Sequence, residues 1–144
     1  MTMSESRPFA PIVQQLKAVG LRPTRQRLSL AKLLFEAGDR HVTAEQLHQQ
    51  AETARVRVSL ATVYNTLHQF TAAGLMIEVV AGSGQSYFDT NPTSHYHYFD
   101  KSTGEIIDVP ESAIQFTALP EPPPGKVIDR IDVVVRIRSA NQQG

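Results

Sequence analysis

The chain contains no cysteine and no tryptophan, and only 7% of its 144 residues are aromatic. The absence of cysteine excludes disulfide bonds, a cysteine nucleophile and every thiolate metal site, including a structural zinc held by four cysteines. No apolar run approaches the length of a membrane-spanning helix, and no signal peptide is visible at the N-terminus. We therefore expect a cytoplasmic protein that does not associate with a membrane.

The chain also lacks a net charge, because 14 basic residues balance 14 acidic residues. The charges are nevertheless separated along the sequence. Residues 1–74 carry nine basic and five acidic side chains, whereas residues 75–144 carry five basic and nine acidic ones. Basic side chains near phosphates supply most of the sequence-independent affinity for DNA. The N-terminal half is therefore the candidate for contact with nucleic acid.

The segment from Ser59 to Gly74 is predicted to be an amphipathic helix with a polar, non-acidic front. Ser59 suits the N-cap because its hydroxyl can accept from an amide of the first turn, and Gly74 suits the C-terminal end. The apolar residues at helical spacing are Leu60, Val63, Leu67 and Phe70. The front residues are Ala61, Thr62, Tyr64, Asn65 and His68. Such a front suits the reading of base edges in a major groove, although the pattern alone also fits an ordinary surface helix.

Three further helices are predicted before this segment. Apolar spacing indicates one from Ile12 to Gly20, a second follows Pro23 with Thr24 as its N-cap, and T-A-E-Q at Thr43 is a capping-box pattern. Three arginines crowd the start of the second helix, where they oppose the helix dipole. They are Arg22, Arg25 and Arg27. Phosphate contact and a solvated basic face explain them about equally well.

Residues 75–89 contain two β-rich runs around Gly82-Ser83-Gly84, which predicts a hairpin. Three helices, a recognition helix and a hairpin are the order of elements in a winged helix-turn-helix. Residues 91–94 have the composition of a linker. We therefore predict an α+β chain, with a winged-helix DNA-binding domain over residues 1–90 and a small second domain over residues 91–144.

The second domain is predicted to contain three strands. The first begins at His95, the second ends at Val109, and the third runs from Ile131 to Arg138. The side chains predicted to form the buried face of the third strand are Ile131, Val133, Val135 and Ile137. The intervening L-P-E-P-P-P-G reads as a stiff connector. Because a domain of about fifty residues builds little core alone, we expect it to bury surface, including Val133, against a second copy of the chain.

A histidine pair on the first of these strands indicates a metal site. His95 and His97 are two residues apart, so their side chains leave the predicted strand on the same face. Neutral imidazole suits iron, manganese and zinc. His41, Asp89 and Asp108 lie at the ends of predicted elements and could add ligands. Histidines that bind no metal explain the same pattern about equally well.

Successive segments of the chain resemble the ferric uptake regulator (Fur) family. They are G-L-R-P-T-R-Q-R, R-H-V-T-A-E-Q-L, S-L-A-T-V-Y-N-T-L, A-A-G-L and S-T-G-E-I-I-D-V, within residues 12–138. The C-terminal L-P-E-P-P-P-G-K-V-I-D-R-I-D-V-V-V-R-I-R and the segment Y-F-D-T-N resemble the iron response regulator (Irr) branch of alphaproteobacteria. The resemblance implies a homodimeric repressor or activator with a winged helix and a C-terminal α/β dimerisation domain.

The resemblance also implies roles for individual residues. The predicted contacts to double-stranded operator DNA are Arg22, Arg25, Arg27, Ser59, Thr62, Tyr64 and Asn65. The implied inter-domain metal ligands are His41, Asp89, His95, His97 and Asp108. The implied ion is iron or manganese in the cell, with zinc as an alternative in vitro. The Irr branch implies haem as another ligand, at His95 and His97, where Tyr96 interrupts a three-histidine run.

Three functions are compatible with these observations. The first is a metal- or haem-modulated, DNA-binding transcriptional regulator of iron and haem homeostasis genes. The second is a small His/Asp metalloenzyme, and the third is a winged-helix module that binds another protein. The enzyme hypothesis is the weaker one, because the sequence shows no convergent general acid or base and no segment that would form a substrate pocket. We therefore predict a regulator and not an enzyme.

Overall fold

The computed structural model describes residues 10–82 and 84–141, and the chain divides into two compact units. The first unit comprises the described residues up to 80 together with 85–92. The second unit comprises the described part of 81–84 and the residues from 93 onward.

Four helices make up most of the first unit. They are α1 (Ala10–Ala18), α2 (Arg25–Phe35), α3 (Ala44–Thr53) and α4 (Leu60–Ala72). The three predicted N-caps are confirmed, since Thr24 accepts from the Arg27 amide and Ser59 accepts from the Thr62 amide. Thr43 and Gln46 form the full capping box, with reciprocal bonds of 3.0 and 3.1 Å. These caps hold the helix starts through bonds within four residues of sequence.

A small antiparallel sheet follows the helices. Its strands are β1 (His41–Val42), β2 (Ile77–Ala81) and β3 (Gln85–Asp89), in the order β1-β3-β2. The β2–β3 hairpin was predicted, whereas β1 was not, because a strand of two residues has no readable period. The β1–β3 register places His41 opposite Asp89.

The core of the first unit lies between its helices and β3. Its largest fully buried apolar side chains are Leu16, Leu30, Leu34, Leu47, Leu67, Phe70 and Phe88. Leu60 was predicted on the buried face of α4 but is 37% exposed, which corrects that prediction. The chain is exposed from Ser59 to Ala61, so Leu60 lies beyond the part of α4 that packs against the core. Thr66 is buried on the inner face with Val63.

The second unit is built on a three-stranded mixed sheet. Its strands are β4 (His95–Asp100), β5 (Ile106–Pro110) and β6 (Val134–Ile137), in the order β5-β4-β6, with a 3₁₀ turn at Glu111–Ala113. β5 pairs with β4 in antiparallel and β6 pairs with β4 in parallel orientation. The predicted start of the third strand at Ile131 is wrong, because residues 131–133 are irregular. Val135 is also 37% exposed rather than buried, because it shares a sheet face with its register partner Tyr98 and with Ile107, which are 36% and 37% exposed.

The segment between the 3₁₀ turn and β6 has no helix or strand. It leaves several apolar side chains exposed in the single chain, namely Phe116, Leu119, Val127 and Ile128. Within the described residues, no helix has the length and apolar character that crossing a membrane requires.

Candidate nucleic-acid interface and metal centre

Helix α4 separates its residues into a packed back and an exposed front. Val63, Leu67 and Phe70 are fully buried on the back. The front shows Ala61, Asn65 and His68 exposed, with Thr62 and Tyr64 half-buried. The hydroxyls of Ser59 and Thr62 are engaged with each other at 2.9 Å within the cap. The other polar side chains on the front are those of Tyr64, Asn65 and His68.

Tyr64 is held in place by a residue that the sequence did not indicate. Its hydroxyl donates a hydrogen bond of 3.0 Å to Oε1 of Glu45, in the first turn of α3. This hydrogen bond, with slight burial and the negative charge of Glu45, raises the pKa of Tyr64 above its ordinary value of 10.0. The ring also stacks on His68, with centroids 6.3 Å apart. No local pattern signals a contact between residues 19 positions apart.

The three predicted DNA-binding arginines fall into two groups. Arg27 donates from Nε and Nη2 to Oε1 of Gln69, at 3.2 and 3.0 Å, and from Nη1 to the carbonyl of Arg22. Arg27 therefore ties α2 to α4. The side chains of Arg22 and Arg25 are exposed, and no residue in the described ranges engages their guanidinium groups. These two arginines are the better candidates for contact with phosphate.

One pair of candidate metal ligands lies in the first unit. Nε2 of His41 is 3.0 Å from Oδ2 of Asp89, and this carboxylate is fully buried. Oδ1 of Asp89 accepts from the Asn91 amide at 2.9 Å. The antiparallel pairing of β1 with β3 produces the contact, since His41 and Asp89 are register partners. The pair thus depends on a strand that the sequence did not reveal.

Three candidate ligands cluster in the second unit. Nε2 of His95 and Nε2 of His97 lie 3.2 and 3.6 Å from the same oxygen, Oδ1 of Asp108. His97 and Asp108 are register partners across β4 and β5, and the two imidazole rings are 4.5 Å apart. Both histidine side chains are buried. The predicted shared face of His95 and His97 is therefore present.

The tautomer of His95 suits a cation. Its Nδ1 lies 2.6 Å from the carbonyl of Thr93, which can only accept, so Nδ1 carries the hydrogen. In the neutral ring Nε2 then presents its lone pair toward the carboxylate of Asp108. Two lone-pair groups at this distance require a proton or a metal ion between them. One ligand atom each of His95, His97 and Asp108 lies within 4.8 Å of the other two. A set of imidazole nitrogens and a carboxylate oxygen fits divalent iron, manganese or zinc.

Comparison with known proteins gives the class to which these features belong. The model of the ferric uptake regulator family matches residues 18–118. The chain is a member of the ferric uptake regulator family.

Two sequence relatives are repressors. The chain is 32% identical over 96 residues to the peroxide-responsive repressor PerR of Staphylococcus epidermidis, covering 67% of this chain and 63% of that protein. It is also 32% identical over 96 residues to PerR of Staphylococcus aureus strain Mu50, covering 67% and 64%. The chain therefore spans just under two thirds of the length of these curated relatives.

Two solved structures share the fold. The ferric uptake regulator of Pseudomonas aeruginosa with manganese has a TM-score of 0.68 and 27% identity, covering 88% of this chain and 96% of that chain. The ferric uptake regulator of Vibrio cholerae has a TM-score of 0.68 and 23% identity, covering 88% and 98%. The predicted class, a helix-turn-helix domain followed by an α/β domain, is confirmed. These relatives are regulators, which confirms the prediction that the chain is not an enzyme.

Proposed function

We propose that this chain is a metal-responsive transcriptional regulator that binds operator DNA in the cytoplasm as a homodimer. The observation that carries the proposal is the exposed front of α4. A helix with a fully buried back and outward Tyr64 and Asn65 can enter a major groove without losing its packing. The domains that serve DNA binding and dimerisation are proposed to be residues 1–90 and 91–144.

The DNA-binding residues divide by the groups that they offer. Tyr64 and Asn65 are the proposed base readers, because hydroxyl and amide groups can pair with base edges. Arg22 and Arg25 are the proposed phosphate contacts, because their guanidinium groups are exposed. Ser59 and Thr62 hold the N-terminal end of α4 through the bond between their hydroxyls, and the Thr62 hydroxyl can still donate to DNA there. Arg27 braces the helix through Gln69.

Dimerisation is proposed to use the second domain. Its apolar side chains Phe116, Leu119 and Ile128 are between 43% and 48% exposed, and Val127 is 86% exposed. Four large apolar side chains exposed within a single irregular segment are typical of a surface that another protein covers. A second copy of the chain would bury them and enlarge a core built on only three strands.

The metal is proposed to be the signal. His41 and Asp89 in the first unit and His95, His97 and Asp108 in the second offer three imidazoles and two carboxylates. We propose that all five serve one divalent ion, iron or manganese in the cell and zinc as a substitute in vitro. An ion held by both domains would favour one angle between them and so one spacing of two recognition helices. The ion can change the DNA affinity by no more than the difference between its own affinities for that arrangement and for the others.

The finer assignment is to an Irr-like regulator of iron and haem homeostasis genes. It rests on the resemblance of the C-terminal segment and on the histidine pair of β4. Haem is the proposed second ligand, through the imidazoles of His95 and His97. Because both Nε2 atoms face Asp108, haem would have to displace that carboxylate. Haem and the divalent ion would therefore compete.

A binding experiment tests the function. The purified 144-residue chain is stripped of metal, and its affinity for a duplex selected from a random pool is measured by fluorescence anisotropy. Manganese(II), iron(II), zinc(II) or haem is then added, and salt is varied in each case. We expect a divalent ion to change the affinity and salt to weaken it steeply, because bound cations of the DNA are released.

The outcomes separate the alternatives. Affinity that no metal or haem alters would contradict the sensing function while leaving DNA binding intact. The absence of salt-dependent binding to any duplex would contradict the regulator itself and favour a protein-interaction module. Hydrogen peroxide is also added to the metal-loaded chain. A change in DNA affinity would indicate the peroxide response for which the Staphylococcus relatives are named.

A further inference from the structure

Arg55 occupies a backbone position that normally belongs to glycine. Its φ is 59°, and it is the one residue other than glycine with a positive φ in the described part of the chain. The Arg55 amide bonds to the carbonyl of Glu52, and the Val56 amide bonds to that of Ala51. This pair of bonds is the Schellman end of α3, with Arg55 at the left-handed position. A side chain there costs backbone energy that glycine avoids, so local stability does not explain the arginine.

The link that follows presents a second arginine. Between α3 and α4, Val56 and Val58 pack against the core of the first unit, whereas Arg55 and Arg57 are exposed. Neither guanidinium group has a hydrogen-bond or ion-pair partner among residues 10–82 and 84–141. Ser59 then caps α4. The unengaged guanidinium groups of Arg55 and Arg57 therefore lie immediately before the helix proposed to read DNA.

The charge around this link is uniformly positive in sequence. No acidic residue occurs from Thr53 to Ile77. The preceding carboxylate, that of Glu52, lies 3.3 Å from Nδ1 of His48. A guanidinium group offers a planar fork of donors that matches a phosphate. An arginine at a strained backbone position, where glycine would cost less, indicates that the charge itself has a function.

We propose that Arg55 and Arg57 form a phosphate-binding clamp that holds the DNA backbone beside the groove entered by α4. The proposal rests on the proposed operator binding and adds two contacts that the family resemblance did not indicate. Backbone contacts position a protein on DNA without reading its sequence. The clamp therefore contributes affinity and orientation for operator and random DNA alike.

Two variants of the 144-residue chain test the clamp. Arg55→Gly removes the charge at a position that glycine fits, and Arg57→Gln removes the second charge. Binding to a pool-selected duplex and a random 30-base-pair duplex is measured across a salt series, with and without manganese(II). We expect each variant to lose about tenfold in affinity for both duplexes. The slope of log affinity against log salt should flatten by about one unit per arginine.

Matched controls separate the clamp from general charge and from folding. Lys126→Gln removes an exposed cation of the second unit, and Arg57→Lys keeps the charge. We expect both controls to retain most of the salt slope, and Arg55→Gly to melt no lower than the unmodified chain. Unchanged slopes in Arg55→Gly and Arg57→Gln, or an equal loss in Lys126→Gln, would overturn the clamp alone. An unmodified chain that binds neither duplex would overturn the proposed function together with the clamp.

Discussion

The phenol of Tyr64 on α4 donates its hydrogen bond to the carboxylate of Glu45 in the first turn of α3, at 3.0 Å. The bond restrains the side chain proposed to read bases, and it places a negative charge beside that side chain. Glu45 is therefore both a support for Tyr64 and an acceptor that DNA would have to replace or share.

Glu45→Gln is expected to lower the pKa of Tyr64 toward its ordinary value of 10.0. The native hydrogen bond and the charge of Glu45 both oppose loss of the phenol proton, so the pKa is raised in the folded chain. A raised pKa means that the contribution of this bond is present at neutral pH and is lost as pH rises through the folded-state pKa. The check is a ¹³C NMR titration of tyrosine, with Tyr64→Phe to assign the signal. Identical titration in both proteins would contradict the coupling.

Tyr64→Ala is expected to reduce the preference for operator over random DNA by about 1–3 kcal/mol, because a base-edge contact is lost. The measurement is competition between the two duplexes at fixed salt. Tyr64→Phe keeps the ring and removes the hydroxyl, so it separates hydrogen bonding from stacking. An equal loss on both duplexes in Tyr64→Ala would show that Tyr64 is not a base reader.

The double variant His95→Ala, His97→Ala is expected to lose bound manganese or iron, because both imidazole nitrogens that face Asp108 Oδ1 are removed. Asp108→Asn, which keeps the shape of the side chain, should weaken the site less severely. Elemental analysis and metal titration measure both effects, and haem absorption is recorded on the same samples. His48→Gln, which changes a histidine outside both clusters, should keep its metal. Retention of metal and of the DNA response in the double variant would exclude the site.

Val127→Asp is expected to convert a dimer into a monomer. Val127 is 86% exposed in the single chain, so aspartate should not disturb its fold, whereas a covered interface would bury an unpaired charge. Analytical ultracentrifugation at micromolar concentration measures the change, with Val127→Ala as the control of similar exposure. An unmodified chain that sediments only as a monomer would contradict the proposed homodimer.

Thr43→Ala is expected to lower the free energy of unfolding by about 1 kcal/mol, because the capping box of α3 loses the bond to the Gln46 amide. Denaturant unfolding followed by circular dichroism measures the change. Thr43→Ser retains the hydroxyl and should lose less. If Thr43→Ala and Thr43→Ser are equally destabilised, the methyl group rather than the cap is responsible, since Thr43 is buried.

The sequence by itself determined the starts of α2, α3 and α4. The side-chain hydroxyls of Thr24, Thr43 and Ser59 accept hydrogen bonds from backbone amides three residues further along the chain. It also determined the hairpin and the first two strands of the second unit, where turn residues and alternation are local signals. The shared face of His95 and His97 follows from the two-residue period of a strand in the same way.

Only the tertiary structure decided which distant side chains meet. The pairing of β1 with β3 brings His41 to Asp89, and a strand of two residues carries no period that could announce it. Packing of helices joins Arg27 to Gln69 across 42 positions and leaves Leu60 exposed beyond the core. The third strand likewise begins at Val134, where the parallel pairing of β6 with β4 starts. These relationships depend on sheet register and helix packing, which arise between segments and therefore leave no mark on the local pattern of either one.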